Sequence, residues 1–330
     1  MISTRACSLL GIDHPVVLAG MSSGFTDPRL TAAVSNGGGL GIMGVSDIAP
    51  GEIGAVASQI RGLTGRPFGL NLLLFACEES IDAVLAARPA VLSTAWPSAE
   101  QDLGEIFGRA HEAGAVVVHM VATLADARLA AGAGADLIVA QGTEGGGHVG
   151  LVAAAVLVPL VARAVAPLPV LAAGGYADGA GLAAALMLGA EGVLLGTRFL
   201  ATSEAPVSDA YKQVLVRSDA HDTLLSPVPD LLAGAIWPGA HGRVVRNRLI
   251  ETWTGREGQL RARRRELRRA AAGAHRAGDT DESVVWAGQS AGLIESIEAA
   301  GELIEQIVRD AERVIRERAE LITAQSSASP

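Results

Sequence analysis

The chain has 330 residues, 49% hydrophobic and 18% charged, with aromatics at only 3%; this excludes a disordered chain and calls for a large core built from aliphatic side chains. A formal net charge of −9 argues against nucleic acid as a partner, because an acidic surface repels phosphate backbones. The two cysteines, Cys7 and Cys77, and the seven histidines fall in no metal-ligand or disulfide-framework spacing, so no metal is expected and free thiols in a reducing cytoplasm are.

Taken in chain order, Met1–Leu10 is short and mixed in character, unlike a signal peptide. Eight short aliphatic runs then predict strands: Val16–Ala19, Gly39–Met43, Phe68–Leu73, Ala90–Ser93, Val116–His119, Leu137–Ala140, Val170–Ala173 and Gly192–Leu195. Near-continuous apolar runs suit parallel strands buried on both faces. Most are separated by a stretch long enough for a helix, which predicts an α/β fold, a TIM (β/α)8 barrel over residues 1–204. The rival, an open doubly wound sheet, favours a Gly-x-Gly-x-x-Gly turn after its first strand, and Ala19-Gly20-Met21-Ser22-Ser23-Gly24 lacks that spacing. The apolar stretch Val149–Ala173 is broken by Pro159, Arg163, Pro167 and Pro169. It reads as helix plus buried strand and not as a membrane span.

Residues 205–285 change rhythm, with scattered Pro, His, Trp and Arg and a charged helix over Gly255–His275; they read as a smaller, mainly helical domain. The Arg-rich run Arg256–Arg276 reads first as a solvated helix face and second as a cover for phosphate or substrate. Residues 286–330 return to the barrel. There the spacing of Ile297, Leu303, Ile304, Ile307, Val308, Val314, Ile315 and Leu321 predicts an amphipathic helix from about Leu293 to Ile322. Its apolar face can dock on the barrel or make a homodimer interface; Ser326–Pro330 reads as a frayed tail.

Three constellations carry chemistry. After the sixth predicted strand comes Gln141-Gly142-Thr143-Glu144-Gly145-Gly146-Gly147-His148-Val149-Gly150. Glycines there let a bulky planar or anionic ligand approach the backbone, and His148 can exchange protons near neutral pH. Gly174-Gly175 end the seventh strand, and Leu195-Gly196-Thr197 end the eighth. Backbone N–H groups at two adjacent strand tips can bind a phosphate. Asn71 near the end of the third strand offers an amide to a flavin or pyrimidine edge, or else satisfies loop backbone. Ala19, Gly20 and Met21 end the first strand and can line a planar ring, although core packing also accounts for Met21. No Gly-x-Ser-x-Gly elbow follows a strand, which argues against a serine hydrolase.

Ala19-Gly20-Met21, Asn71, the Gln141–Gly150 run, Ala172–Asp178, Gly196-Thr197-Arg198-Phe199 and Ala287-Gly288-Gln289-Ser290-Ala291-Gly292-Leu293-Ile294 together resemble the nitronate monooxygenase (2-nitropropane dioxygenase) family. Related to it are FMN-dependent enoyl reductases and NAD(P)H:quinone reductases. The resemblance spans nearly the whole chain. It implies non-covalent FMN, with Met21, Asn71, Gln141 and Gly146 around the ring or ribityl chain. Gly174, Gly175, Gly196 and Thr197 hold the phosphate and His148 acts near the flavin N5. Ala19, Gly20, Gly142, Gly147 and Leu195 complete the expected cofactor-contacting set. The chain departs from the pattern at Gly145, where relatives often have alanine. It also has Met120 where some relatives have a lysine, and its only lysine is Lys212. The leading expectation is oxidation of an alkyl nitronate by O2 to a carbonyl compound and nitrite. The alternatives are NAD(P)H-dependent reduction of a quinone or enoyl thioester, and a flavin-free barrel that binds a phosphorylated metabolite.

Overall fold

The computed structural model describes residues 2–22 and 24–326. All eight predicted barrel strands form: β1 (Val16–Leu18), β2 (Gly41–Gly44), β3 (Phe68–Leu73), β4 (Val91–Ala95), β5 (Val116–Val121), β6 (Leu137–Gln141) and, after the outlying β7 (Gly147–Val149), β8 (Val170–Ala173) and β9 (Val193–Leu195). Neighbours pair in parallel from β2 through β9, and β9 pairs with β1 in the register Val16↔Val193. A parallel bridge between Val17 and Leu40 closes the ring.

The pleat sorts side chains into two layers. Val17, Ile42, Val118, Val139, Leu171 and Leu194 fill the barrel, where Ala6, Cys7 and Leu10 of the helix Arg5–Leu10 join them. Val16, Leu18, Leu70, Leu72, Ile138 and Leu195 point outward into the shell packed under the helices. Several outer helices begin at a side-chain cap that satisfies a free N–H: Asp27 for Pro28–Asn36, Thr123 for Leu124–Gly132 and Asp178 for Gly179–Met187.

His119 sits fully buried among these layers, with Nδ1 2.7 Å from Thr94 Oγ1 and its ring against Phe107. Burial lowers its pKa from 6.5 to about 4. Between those values the unfolded chain holds more protons on this ring than the folded one, so stability falls as pH drops through that window. Taking the pH from 7 to 5 should cost about 2 kcal/mol through this residue alone. Urea unfolding of wild type and His119→Gln at both pH values measures it: the variant should lose less stability on acidification by about that amount.

The region after the barrel is helical, as expected, with Asp209–Arg217, Val228–Ala233, Arg248–Trp253, Glu257–Ala262 and Arg264–Arg276. It also contains a small antiparallel sheet of β10 (Thr223–Leu225), β11 (His241–Val245) and β7. The barrel's own glycine loop thus supplies a strand to the appended region, in the register Gly242↔His148. The single charged helix expected over Gly255–His275 is divided at Arg263.

The C-terminal helix starts at Ala300, seven residues after Leu293. Buried Arg198 explains the delay: its guanidinium donates to Ser296 O and pairs with Glu298, and Ser203 N–H donates to Glu298 O. These bonds hold the segment extended, and the Glu204 carboxylate then caps Ala300 N–H. Leu303, Ile304, Ile307, Val308 and Ala311 are buried where the helix docks on the barrel's outer helices, whereas Leu321 is exposed. Apart from Ser326, the tail expected at Ser326–Pro330 lies outside the described residues. Among the described residues no helix is long and apolar enough to cross a membrane, and no cluster of His, Cys, Asp or Glu could hold a metal ion.

Candidate active site

A cavity of about 500 Å³ opens at the C-terminal ends of the barrel strands, a volume suited to a small molecule or cofactor. Ala19, Gly20 and Met21 line it from beyond β1, Asn71 from β3, Gln141 from the end of β6, Gly146 from the loop into β7, and Gly147 and His148 from β7 itself. Gly174 and Gly175 line it after β8, and Gly196 and Thr197 after β9. Twelve of the fourteen site residues expected from sequence therefore share one cavity.

Gly142 and Leu195 do not line it. Leu195 neighbours a lining residue, Leu194, and alternation along β9 turns it outward into the shell, where it is 2% exposed. Gly142 lies beneath the rim as a spacer. A Cβ added to Gly174 would lie 2.6 Å from the Gly142 carbonyl oxygen, so the two loops touch backbone to backbone. Gly174 and Gly175 both have left-handed φ angles, 87° and 86°, a conformation glycine adopts without steric cost.

A second glycine contact brings the C-terminal segment to the site. A Cβ on Gly288 would lie 2.7 Å from Glu144 O, so only glycine lets this segment cross the loop at Gly146. Gly288 N–H donates to Thr197 Oγ1 at 3.0 Å and Gln289 N–H to Glu144 O at 2.8 Å. Trp286 and Ser290 are thereby delivered to the cavity wall. The Glu144 carboxylate is occupied in capping Ala154 N–H, and Arg243 steadies the same loop by donating to Thr143 O.

His148 has a partner the sequence did not reveal. Its Nε2 lies 2.7 Å from Asp230 Oδ1 across 82 residues of chain. An ionised carboxylate only accepts, so in the neutral imidazole this pairing makes Nε2–H the donor and leaves the lone pair on Nδ1. The Trp237 ring stacks on the imidazole at 3.4 Å and 12°, and Trp286 leans on it at 5.0 Å. Phe75 and Trp96 pack in turn against Trp237. Trp96 holds a φ of 52°, a backbone strain of about 1–2 kcal/mol. With Phe25 and Tyr176, six of the chain's eleven aromatic residues line this one cavity. Burial, and secondarily the Glu144 charge, pushes the Tyr176 phenol up to about 12, so it stays a neutral donor near neutral pH.

The residues present fit a flavin. The buried Gln141 Oε1 has no hydrogen-bond partner among the described residues, and an unpaired buried acceptor on a cavity wall calls for a ligand donor. Asn71 donates to Ser93 Oγ at 2.9 Å, which leaves its carbonyl oxygen available. Gly174, Gly175, Gly196 and Thr197, at the tips of two adjacent strands, line the cavity together, and main-chain amides at such tips suit an anion.

The nitronate monooxygenase family model matches residues 3–104 and 76–310. The Mycobacterium tuberculosis (3aS,4S,5R,7aS)-5-hydroxy-7a-methyl-1-oxo-octahydro-1H-indene-4-carboxyl-CoA dehydrogenase is 34% identical over 94% of this chain and 96% of its own length. A Neurospora crassa nitronate monooxygenase is 31% identical over 92% of this chain and 90% of its own. Among solved structures, FabK from Thermotoga maritima superposes with a TM-score of 0.87 at 33% identity, covering 97% of this chain and all of that one.

Proposed function

Since the chain belongs to the nitronate monooxygenase family and is a flavin-dependent oxidoreductase, we propose that it binds FMN and uses His148 to move the proton of a carbon acid, with an acyl-CoA thioester as substrate. The observation that carries the chemistry is His148 on the cavity wall, paired at 2.7 Å with Asp230 behind it. FMN, when bound, supplies two-electron transfer in the form of hydride. Gly174, Gly175, Gly196 and Thr197 would hold its phosphate, and Asn71 and Gln141 the polar edge of its ring.

The remaining work falls to the protein. The free Nδ1 of His148 accepts a proton from the carbon beside an electron-withdrawing group, or returns one in the reverse direction. Asp230 fixes the tautomer, orients the ring and stabilises the imidazolium that forms. The stacked Trp237 covers one face of the imidazole and keeps water from it. A thioester carbonyl acidifies its neighbouring carbon and suits this apparatus; the 34% identity to a CoA-ester dehydrogenase supports that substrate class.

Oxidation of an alkyl nitronate by O2 to a carbonyl compound and nitrite is the second reading, favoured by the Neurospora crassa relative. Anaerobic mixing of the FMN-loaded protein with a panel of acyl-CoA thioesters, with propionate 3-nitronate and with NADH separates the two. Bleaching of the flavin by an acyl-CoA, or reoxidation of the NADH-reduced flavin by crotonyl-CoA, supports the thioester reading. Bleaching by the nitronate alone, with nitrite formed in air, supports the second. If none of these reagents changes the flavin spectrum, both readings fall.

A further inference from the structure

The two ends of the helix Arg264–Arg276 come close to residues at the cavity mouth. At its start, the Arg264 guanidinium packs on Gly234, where an added Cβ would lie 2.9 Å from Arg264 Cζ. Ala235 and Trp237, just beyond Gly234, line the cavity. At the helix's end the His275 ring lies 6.2 Å from Phe25, another lining residue. Leu267 and Ala271 pack on the small core of Val228, Leu232 and Trp253. At 100° per residue, Arg264, Arg268 and His275 fall within about 40° of one another on a single flank. One end of that flank packs beside the lining residue Ala235 and the other faces the lining residue Phe25, with Arg268 on the same flank between them.

This flank lacks counter-charge. Residues 256–276 hold eight arginines against two glutamates, in a chain whose net charge is −9. The ion pair found within the helix runs from Arg263 to Glu266; among the described residues neither Arg264 nor Arg268 pairs with a carboxylate. Cations gathered at the entrance of an otherwise acidic protein raise the local concentration of anions there. A cavity of about 500 Å³ that takes a flavin and an acyl group leaves the nucleotide of a CoA thioester outside, at the rim.

We propose that Arg264 and Arg268 form the anchor for the phosphates of the coenzyme A carrier, so that this helix selects a nucleotide-linked thioester over a free small acid. The assignment rests on the thioester reading and adds the site that recognises the carrier. Guanidinium groups suit it because they pair with phosphate through two parallel hydrogen bonds, and both residues are exposed.

The test is calorimetric titration of CoA, and separately of pantetheine and NADPH, into the FMN-loaded protein. Wild type is compared with an Arg264→Glu/Arg268→Glu variant and its Arg264→Gln/Arg268→Gln counterpart. CoA binding should weaken about 10–100-fold in the glutamate variant and less in the glutamine one, and should weaken with salt in wild type. Pantetheine, which has no nucleotide, should bind all three alike. The proposal is overturned if CoA fails to bind wild type or binds all three equally. It is also overturned if pantetheine weakens in parallel with CoA, or if NADPH alone loses affinity. Because this readout is binding and needs no turnover, it stands apart from the anaerobic test of the reaction.

Discussion

Replacing His148 by alanine should leave FMN bound in full and slow turnover by about 10²–10⁴-fold, the ordinary contribution of a positioned acid–base group. The imidazole borders the cavity but its side-chain hydrogen bond goes to Asp230, so cofactor retention should not depend on it. Asp230→Asn sharpens the test. An amide in place of the carboxylate can donate to Nε2 and push the proton onto Nδ1, the nitrogen assigned to accept it. Its loss in kcat should approach that of His148→Ala although the imidazole itself is still present. Flavin absorbance per chain, read alongside kcat, separates the outcomes. A variant that loses flavin but keeps its activity per bound flavin would remove His148 from the chemistry.

Gly174→Ala should damage both the scaffold and the cavity. An L-residue pays about 1–2 kcal/mol to hold a left-handed conformation, and the new methyl would lie 2.6 Å from the Gly142 carbonyl oxygen. Overpacking against backbone that cannot rotate away adds about 1–3 kcal/mol. The loop should therefore shift, with the midpoint of thermal unfolding falling by several degrees and flavin retention dropping well below that of wild type. Gly54→Ala is the control: Gly54 is a helical, exposed position with nothing within 4 Å of the added Cβ, and it should gain up to about 1 kcal/mol. Equal behaviour of the two variants would contradict the account of the cradle.

The barrel was readable because each of its strands is a compact aliphatic run, such as Val116–Val121 or Val170–Ala173, and buried parallel strands need little else. The strand-tip glycines that line the cavity were readable because they cluster at the ends of successive strands. The small sheet was hidden. Its strands, Gly147-His148-Val149 and His241-Gly242-Arg243-Val244-Val245 among them, carry glycine and charge and are recognisable only through their pairing. Asp230 was hidden for the same reason: helix Val228–Ala233 and the appended core bring it to His148, and no local pattern marks it. The aromatic wall offered one signal that went unused. In a chain only 3% aromatic, tryptophans at 96, 237 and 286 are too costly to scatter, and all three meet at the cavity. Leu195 shows the limit of placing a residue by strand tip alone, since a single step along the pleat moved the lining position to Leu194.

The three cavity tryptophans make the flavin site directly measurable. Titrating the flavin-free protein with FMN, and separately with riboflavin, should quench tryptophan emission saturably at an equimolar ratio for FMN. Riboflavin, which lacks the phosphate that the amides of Gly174, Gly175, Gly196 and Thr197 would hold, should bind at least about tenfold more weakly. Absence of quenching, or equal affinity for the two flavins, would show that the strand tips form no phosphate cradle and that the cavity serves another ligand.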